Sequence, residues 1–95
     1  MTVKIIIKRT VSEDKEKELT ILLKQLRNLG VNQTGYISGE TLKNIEKPNE
    51  FLVISTWRSA DDWNRWVRND KRKEIQEQID FLLGVETEYG IYDYA

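Results

Sequence analysis

The chain has no histidine and no cysteine, and only one methionine and one proline. Without cysteine there is no disulfide staple and no thiolate metal site. Without histidine there is no imidazole base, so neither a Ser-His-Asp nor a Cys-His arrangement can form. Zinc, copper and non-haem iron sites usually draw on these two residues, and no metal site is expected. Phosphate-cradling loops are missing too: neither GxxxxGK[ST] nor GxGxxG occurs. The longest apolar runs, Ile5-Ile6-Ile7 and Phe51-Leu52-Val53-Ile54, fall far short of the ~20 residues that span a bilayer as a helix.

An excess of one charge is also lacking. Fifteen Lys and Arg face sixteen Asp and Glu, a net charge of −1. A sequence-independent nucleic-acid binder needs a basic face, and a polybasic membrane contact needs clustered cations. Neither nucleic acid nor membrane is therefore an expected partner. Met1 leads straight into a strand-like segment, so no signal peptide is expected, and a cytoplasmic location fits. Ninety-five residues predict one domain, 1–95. A chain of this size buries somewhat over ~60% of its unfolded surface, which leaves little surplus and favours oligomerisation.

What is present is a clear order of segments. Val3 to Arg9 alternates in part, with Val3, Ile5 and Ile7 on one side and Lys4, Ile6 and Lys8 on the other, and reads as a strand. Ser12 is a candidate N-cap, followed by Glu13 and Asp14 at a helix start. Leu19, Leu22, Leu23, Leu26 and Leu29 make the core-facing stripe of that helix. Gly30 is expected just past its end. Thr34 to Lys43 reads as a second strand, with Gly35 and Gly39 marking bulges or close approaches. Lys47-Pro48-Asn49-Glu50 is a turn, and Phe51 to Trp57 a third strand. Ser59 opens a second helix, with Asp62 three residues on and Ala60, Trp63 and Val67 facing inward. Asn69-Asp70 breaks it. A further helix carries Ile75, Ile79 and Leu82, Gly84 closes it, and Val85 to Tyr94 is the last strand.

The order β-α-β-β-α-β, with its second helical stretch split, predicts an α+β, ferredoxin-like fold: a four-stranded antiparallel sheet with helices on one face. Its first and third strands should be central. Both are apolar on both sides: Ile5 and Ile7 against Ile6, and Phe51, Val53 and Trp57 against Leu52 and Ile54. Helices cover one face only, and a half-solvated sheet should be polar on the other. A second copy packed sheet to sheet about a two-fold axis is the simplest cover, which predicts a homodimer.

The remaining chemistry is aromatic. Trp57, Trp63 and Trp66 fall within ten residues. Trp57 and Trp63 read as core anchors, while Trp66, on the flank of the stripe, is the candidate to line a cavity. Tyr36, Tyr89, Tyr92 and Tyr94 lie in strands as structural phenols, any of which can face a ligand. Lys8 and Arg9 end the first strand, either to bind an anionic group or as an exposed strand end. Lys71-Arg72-Lys73 reads as a solvated helix face, and Asp61-Asp62 as solvated charge at a helix N-terminus.

Five pieces together form a pattern: Gly35-Tyr36-Ile37-Ser38-Gly39-Glu40, Pro48-Asn49-Glu50-Phe51, Ile54-Ser55-Thr56-Trp57-Arg58-Ser59, Asp62-Trp63-Asn64-Arg65-Trp66 and Tyr89-Gly90-Ile91-Tyr92. The chain resembles the antibiotic biosynthesis monooxygenase (ABM) domain family over essentially its whole length. The resemblance implies a dimeric α+β barrel with a pocket between the sheet and helices of each subunit. It implies either a cofactor-independent monooxygenase acting on a small aromatic or quinol-like molecule, or a haem-degrading enzyme. The haem degraders place an Asn near the end of the first strand, a Trp on the second helix and an axial His ten residues later. Trp66 matches the Trp, but Gln76 stands at the His position and Lys8 at the Asn position. The iron ligand is thus missing, and the resemblance favours cofactor-free chemistry. Trp66, Lys8, Gln76 and Tyr36 are the expected substrate-binding residues, no catalytic residue is assigned, and no cofactor is expected. The alternative expectation is a non-catalytic, dimeric small-ligand-binding module.

Overall fold

In the computed structural model, which describes residues 2–95, the alternation of the first segment becomes strand β1, Val3–Thr10. Successive side chains of a strand point to opposite faces. Val3, Ile5, Ile7 and Arg9 are buried on one face, while Lys4 and Ile6 are half-buried and Lys8 exposed on the other. A short 3₁₀ turn at Glu13–Lys15 leads into helix α1, Glu16–Gly30. Strands β2, Tyr36–Lys43, and β3, Glu50–Trp57, form the hairpin. Helices α2, Ala60–Val67, and α3, Asp70–Leu83, precede the short strand β4, Tyr89–Tyr92.

The four strands pair in the order β2-β3-β1-β4, antiparallel throughout. This is the predicted ferredoxin-like arrangement, with β1 and β3 central. Ile5 pairs with Ser55, Ile7 with Val53 and Arg9 with Phe51, so these side chains share the face under the helices. Lys4 pairs with Thr56, Ile6 with Ile54 and Lys8 with Leu52 on the opposite face.

Two apolar clusters join sheet and helices. One gathers Val3, Ile5, Ile7, Trp57, Trp63 and Trp66. The other gathers Val11, Leu19, Ile75 and Ile79, with the half-buried leucines of α1 against them. The α1 stripe therefore packs as its spacing predicts.

Local chemistry sets the helix ends. The Ser59 hydroxyl accepts the backbone N–H of Asp62 at 3.2 Å, which starts α2. Asn69 accepts from the N–H groups of Lys71 and Arg72 at 3.0 and 3.1 Å, which ends one helix and starts the next. Gly84 takes a left-handed conformation, φ 71°, and closes α3.

Three expectations need correction. Gly30 is not past the helix end: it is the last residue of α1, Val31 caps it in right-handed conformation, and the Gly30 Cα faces the Trp66 indole. The last strand is four residues, not ten, and Val85 to Glu88 form a connector. Asp62 is buried rather than solvated. Its carboxylate takes hydrogen bonds from Arg58, Ser59 and Arg65. It belongs to a side-chain network that adjacency to Asp61 gave no hint of.

Candidate ligand cavity

Between the sheet and the helices lies a cavity of about 300 Å³. Its floor is shaped by small residues. Gly39 of β2 pairs with Ser55 of β3, and both line the cavity beside Trp57. Leu23 and Leu26 of α1 roof it, and Ile7, Phe51 and Val53 complete the apolar floor. The exposed members of the lining are Thr20, Lys24 and Arg27 of α1 and Glu40 and Thr41 of β2. They mark the mouth, between α1 and the β2 edge of the sheet.

One end of the cavity is an aromatic wall. Trp57 is the centre of it. Tyr36 meets Trp57 edge-on at 5.5 Å between ring centroids, and Trp63 does so at 5.6 Å. Trp66 lies nearly parallel to Trp57, 6.5 Å away and 24° between planes. The Trp57 indole N–H donates to the Ser55 hydroxyl at 3.1 Å. Tyr89 backs Trp63 at 5.2 Å. Edge-on and offset contacts of this kind add about 0.5–1.5 kcal/mol each beyond the burial of area. The wall is thus held together by ring contacts as well as by burial.

The inner end is cationic. Arg9 and Arg72 both line the cavity, and both are nearly inaccessible, 3% and 5% exposed. Arg9 Nη1 donates to Thr87 Oγ1 at 2.9 Å. Arg72 Nη2 reaches Gln76 Oε1 at 3.5 Å, and its guanidinium lies 5.3 Å from the centre of the Trp63 ring. Gln76 Nε2 donates to Thr87 Oγ1 at 2.6 Å and to Asp80 Oδ1 at 2.9 Å. Asp80 also accepts from the Thr87 hydroxyl and backbone N–H, at 2.5 and 3.1 Å. Thr87 and Gln76 therefore carry the negative charge of Asp80 toward both arginines. Burial lowers the Arg9 pKa to about 10, with the Asp80 charge opposing and the Arg72 charge adding. Burial lowers that of Arg72 as well, against the opposing influence of Tyr89 and Asp80.

Among the four residues expected to bind substrate, the structure brings two together. Trp66 and Tyr36 both line the cavity and both contact Trp57. Lys8 lies on the opposite face of the sheet, 63% exposed at its side chain and 3.6 Å from Glu50. One step of strand alternation separates it from Arg9, which is the residue that enters the cavity. Gln76 is not part of the lining; it stands behind it, bonded to Arg72, Thr87 and Asp80. Arg72 was expected on a solvated face and is buried instead. The sequence holds a signal for it: Arg72 lies three residues before Ile75 and seven before Ile79, on the buried side of α3. Trp57 and Trp63 are core anchors as expected, and they line the cavity too. Among the described residues, no three His, Cys, Asp or Glu side chains cluster as metal ligands. Among the same residues, no helix is long and apolar enough to cross a membrane.

The molecule is an α+β domain: a four-stranded antiparallel sheet with helices on one face and a tryptophan-walled cavity between them. The chain belongs to the antibiotic biosynthesis monooxygenase (ABM) family, whose model matches residues 2–78. The match ends inside α3, and β4 beyond it pairs with β1 to complete the sheet. A conserved protein from Methanosarcina mazei superposes with a TM-score of 0.92 at 24% identity, covering 100% of this chain and 94% of that one. SnoaB, a cofactor-independent oxygenase from Streptomyces nogalater, superposes with a TM-score of 0.87 at 17% identity, covering 99% and 93%. A 42.8 kDa protein in the whiE locus of Streptomyces coelicolor is 22% identical over 77 residues, 81% of this chain. This chain spans only 19% of the length of that protein.

Proposed function

We propose that the chain is a cofactor-independent monooxygenase that acts on a small aromatic or quinol-like molecule held in the cavity. The observation that carries the reading is the wall of Tyr36, Trp57, Trp63 and Trp66 around about 300 Å³ of space. That volume is at the lower end of small-molecule sites and suits one flat, fused-ring molecule. Membership of the family and the likeness to SnoaB support the reading. Trp66 and Tyr36 act as substrate contacts, and Gln76 positions Arg72 and Thr87 from behind.

The reaction balances without a second reductant. A phenol whose para C–H is oxidised by O₂ becomes a quinone: one oxygen atom enters the ring, and the other leaves as water with the two hydrogens. The substrate supplies all four electrons. The protein's part is to hold the ring, exclude bulk water and favour the ionised, electron-rich form.

We further propose that the working unit is a homodimer joined through the outer sheet faces. Ile6, Leu52 and Ile54 form a half-buried apolar row there, flanked by the more exposed Leu42 and Tyr92.

The test is oxygen uptake with a panel of hydroxylated aromatics and quinols, with the product analysed by mass spectrometry under ¹⁸O₂. One labelled oxygen per product and a reduced rate in Trp66→Phe are expected. Binding across the panel with no oxygen uptake would replace this reading with a non-catalytic ligand-binding module.

A further inference from the structure

Three buried nitrogen donors have no partner among the described residues: Arg9 Nε, Arg72 Nε and Trp63 Nε1. All three side chains line the cavity, and each residue is at most 5% exposed. A buried donor left unmatched carries its full desolvation cost, which is larger still when it is charged. Native structures leave only a few such groups per ~100 residues, and here all three sit on side chains that line one cavity, which calls for an acceptor.

The charge balance makes the same demand. Neither arginine takes part in any ion pair among the described residues. Asp80 is the carboxylate whose charge reaches both, and it does so through Thr87 and Gln76 rather than by contact. Two desolvated guanidiniums against one indirect carboxylate leave a positive surplus at the inner end. The mouth adds Lys24 and Arg27 against Glu40. The aromatic wall, whose Trp63 ring lies 5.3 Å from the Arg72 guanidinium, carries no charge of its own.

We propose that Arg9, Arg72 and Trp63 form an anion-recognition site, and that the cavity's ligand is a flat ring system bearing an ionised oxygen group, a carboxylate or a phenolate. The inference rests on the proposed aromatic-binding cavity and adds the polar half of the ligand. The ring lies against Trp57 and Trp66, and the anionic oxygen meets the Arg9 and Arg72 side chains that line the cavity. Each guanidinium is held from behind, Arg9 by Thr87 and Arg72 by Gln76 and the face of Trp63, so it need not reorganise when the ligand enters. For a phenolic substrate, the same cations lower the cost of ionising the hydroxyl, which raises the electron density that reacts with oxygen.

The test is direct binding to the full chain, read by quenching of tryptophan fluorescence, since all three tryptophans line the cavity. Naphthoate is compared with naphthamide, its neutral isostere. Nitrophenolate is compared with nitroanisole. A charge-assisted hydrogen bond is worth about 1.5–3 kcal/mol, so at least one anion should bind about ten-fold or more tightly than its neutral partner. A preference in one pair alone says whether the site takes a carboxylate or a phenolate. Arg72→Gln should remove the preference and keep the affinity for the neutral probe. If Arg72→Gln does not fold, Arg9→Met carries the same comparison, and the wild-type pairs already decide the point. Equal binding of anion and neutral partner overturns the anion site while leaving the aromatic cavity standing. No binding of any probe overturns both.

Discussion

The Asp62 carboxylate occupies the space where a side chain at Gly35 would be. A Cβ built on Gly35 would lie 2.4 Å from Asp62 Cγ and Oδ2, and the Gly35 backbone has φ 87°. Two separate obstacles thus keep this position glycine: a left-handed conformation and a neighbour that cannot retreat. Asp62 is held by Arg58 at 3.0 Å, by Ser59 at 2.9 Å and by Arg65 at 3.3 Å. Gly35→Ala should therefore break that cluster as well as strain the turn before β2. A loss of about 2–4 kcal/mol is expected, from the ~1–2 kcal/mol of left-handed strain and one or two disrupted buried hydrogen bonds. Urea unfolding of the variant checks it; a loss below ~0.5 kcal/mol would show that the cluster adapts freely.

The same cluster makes stability depend on acid. Burial pushes the Asp62 pKa up, but hydrogen bonds from Arg58 and Ser59 and the charges of Arg58 and Arg65 outweigh it and hold the carboxyl below its ordinary value. A carboxyl depressed in the folded state contributes stability that is complete above its unfolded pKa, about 3.9. That contribution is lost as pH falls from there through the folded value. Thermal melts of the wild type and Asp62→Asn should therefore differ most at neutral pH, with the wild type higher. The two curves should converge below about pH 4. A constant gap down to the lowest pH would show that the ionised carboxylate is not what stabilises α2.

Much of the frame was legible because it rests on local rules. Leu19 to Leu29 declare a helix face, Asn69 and Gly84 cap α3 as their side chain and backbone freedom require, and β1 and β3 declare central strands by being apolar on both sides. The site was half legible. Trp66 and Tyr36 were found through the family pattern, and both line the cavity. The resemblance set Lys8 at a site position, but Lys8 and Arg9 end the same strand, and alternation decides between them only once it is known which face the helices cover. Arg72 was hidden in a basic triplet that reads as solvated by composition, although its spacing from Ile75 and Ile79 puts it on the buried stripe. Gln76 reads as ligand-facing only through the resemblance, which implies an iron ligand at that position in haem-degrading members. Its contacts with Thr87 and Asp80 cross from α3 to the connector before β4, a tertiary relation that no local pattern encodes.

Gly30 offers a gain in stability. It ends α1 with an ordinary helical backbone, since the positive-φ glycines are Gly35 and Gly84. A Cβ there would lie 3.6 Å from Trp66 Cζ2, a normal contact. Alanine lowers the entropy of the unfolded chain and favours helix. Gly30→Ala should raise stability by about 0.5–1 kcal/mol, seen as a higher urea midpoint with unchanged slope. A fall in stability would mean that the Trp66 ring needs the bare glycine to keep its place against Trp57.

The outer face predicts an association that can be broken by one charge. Leu52 pairs with Leu42 on one side and Lys8 on the other, on the face away from the helices. Its substitution leaves the cavity lining untouched. In the proposed dimer Leu52→Glu buries a carboxylate against a second apolar sheet, where an unpaired charge costs several kcal/mol. Sedimentation at micromolar concentration should show the wild type as a dimer and Leu52→Glu as a folded monomer. A wild type that sediments as a monomer would refute the sheet-to-sheet dimer without touching the cavity.

Arg9 tests whether the cationic end serves the fold or the ligand. Its guanidinium is desolvated enough to lower its pKa to about 10, and no carboxylate forms an ion pair with it among the described residues. Methionine has a similar length, fills the same apolar surroundings and strands no direct ionic partner. Thr87 would keep its bond from Gln76 at 2.6 Å and its own bond to Asp80. A buried charge without an ionic partner carries a desolvation cost that an apolar side chain of similar volume does not. Arg9→Met should therefore unfold in urea at the wild-type midpoint or above it. A gain would mean that the native arginine is kept at a cost to stability, which places its value in what enters the cavity. A loss of more than about 2 kcal/mol, of the size seen when a buried hydrogen-bonded network is cut, would instead make Arg9 part of the scaffold that holds Thr87 and β4 in place.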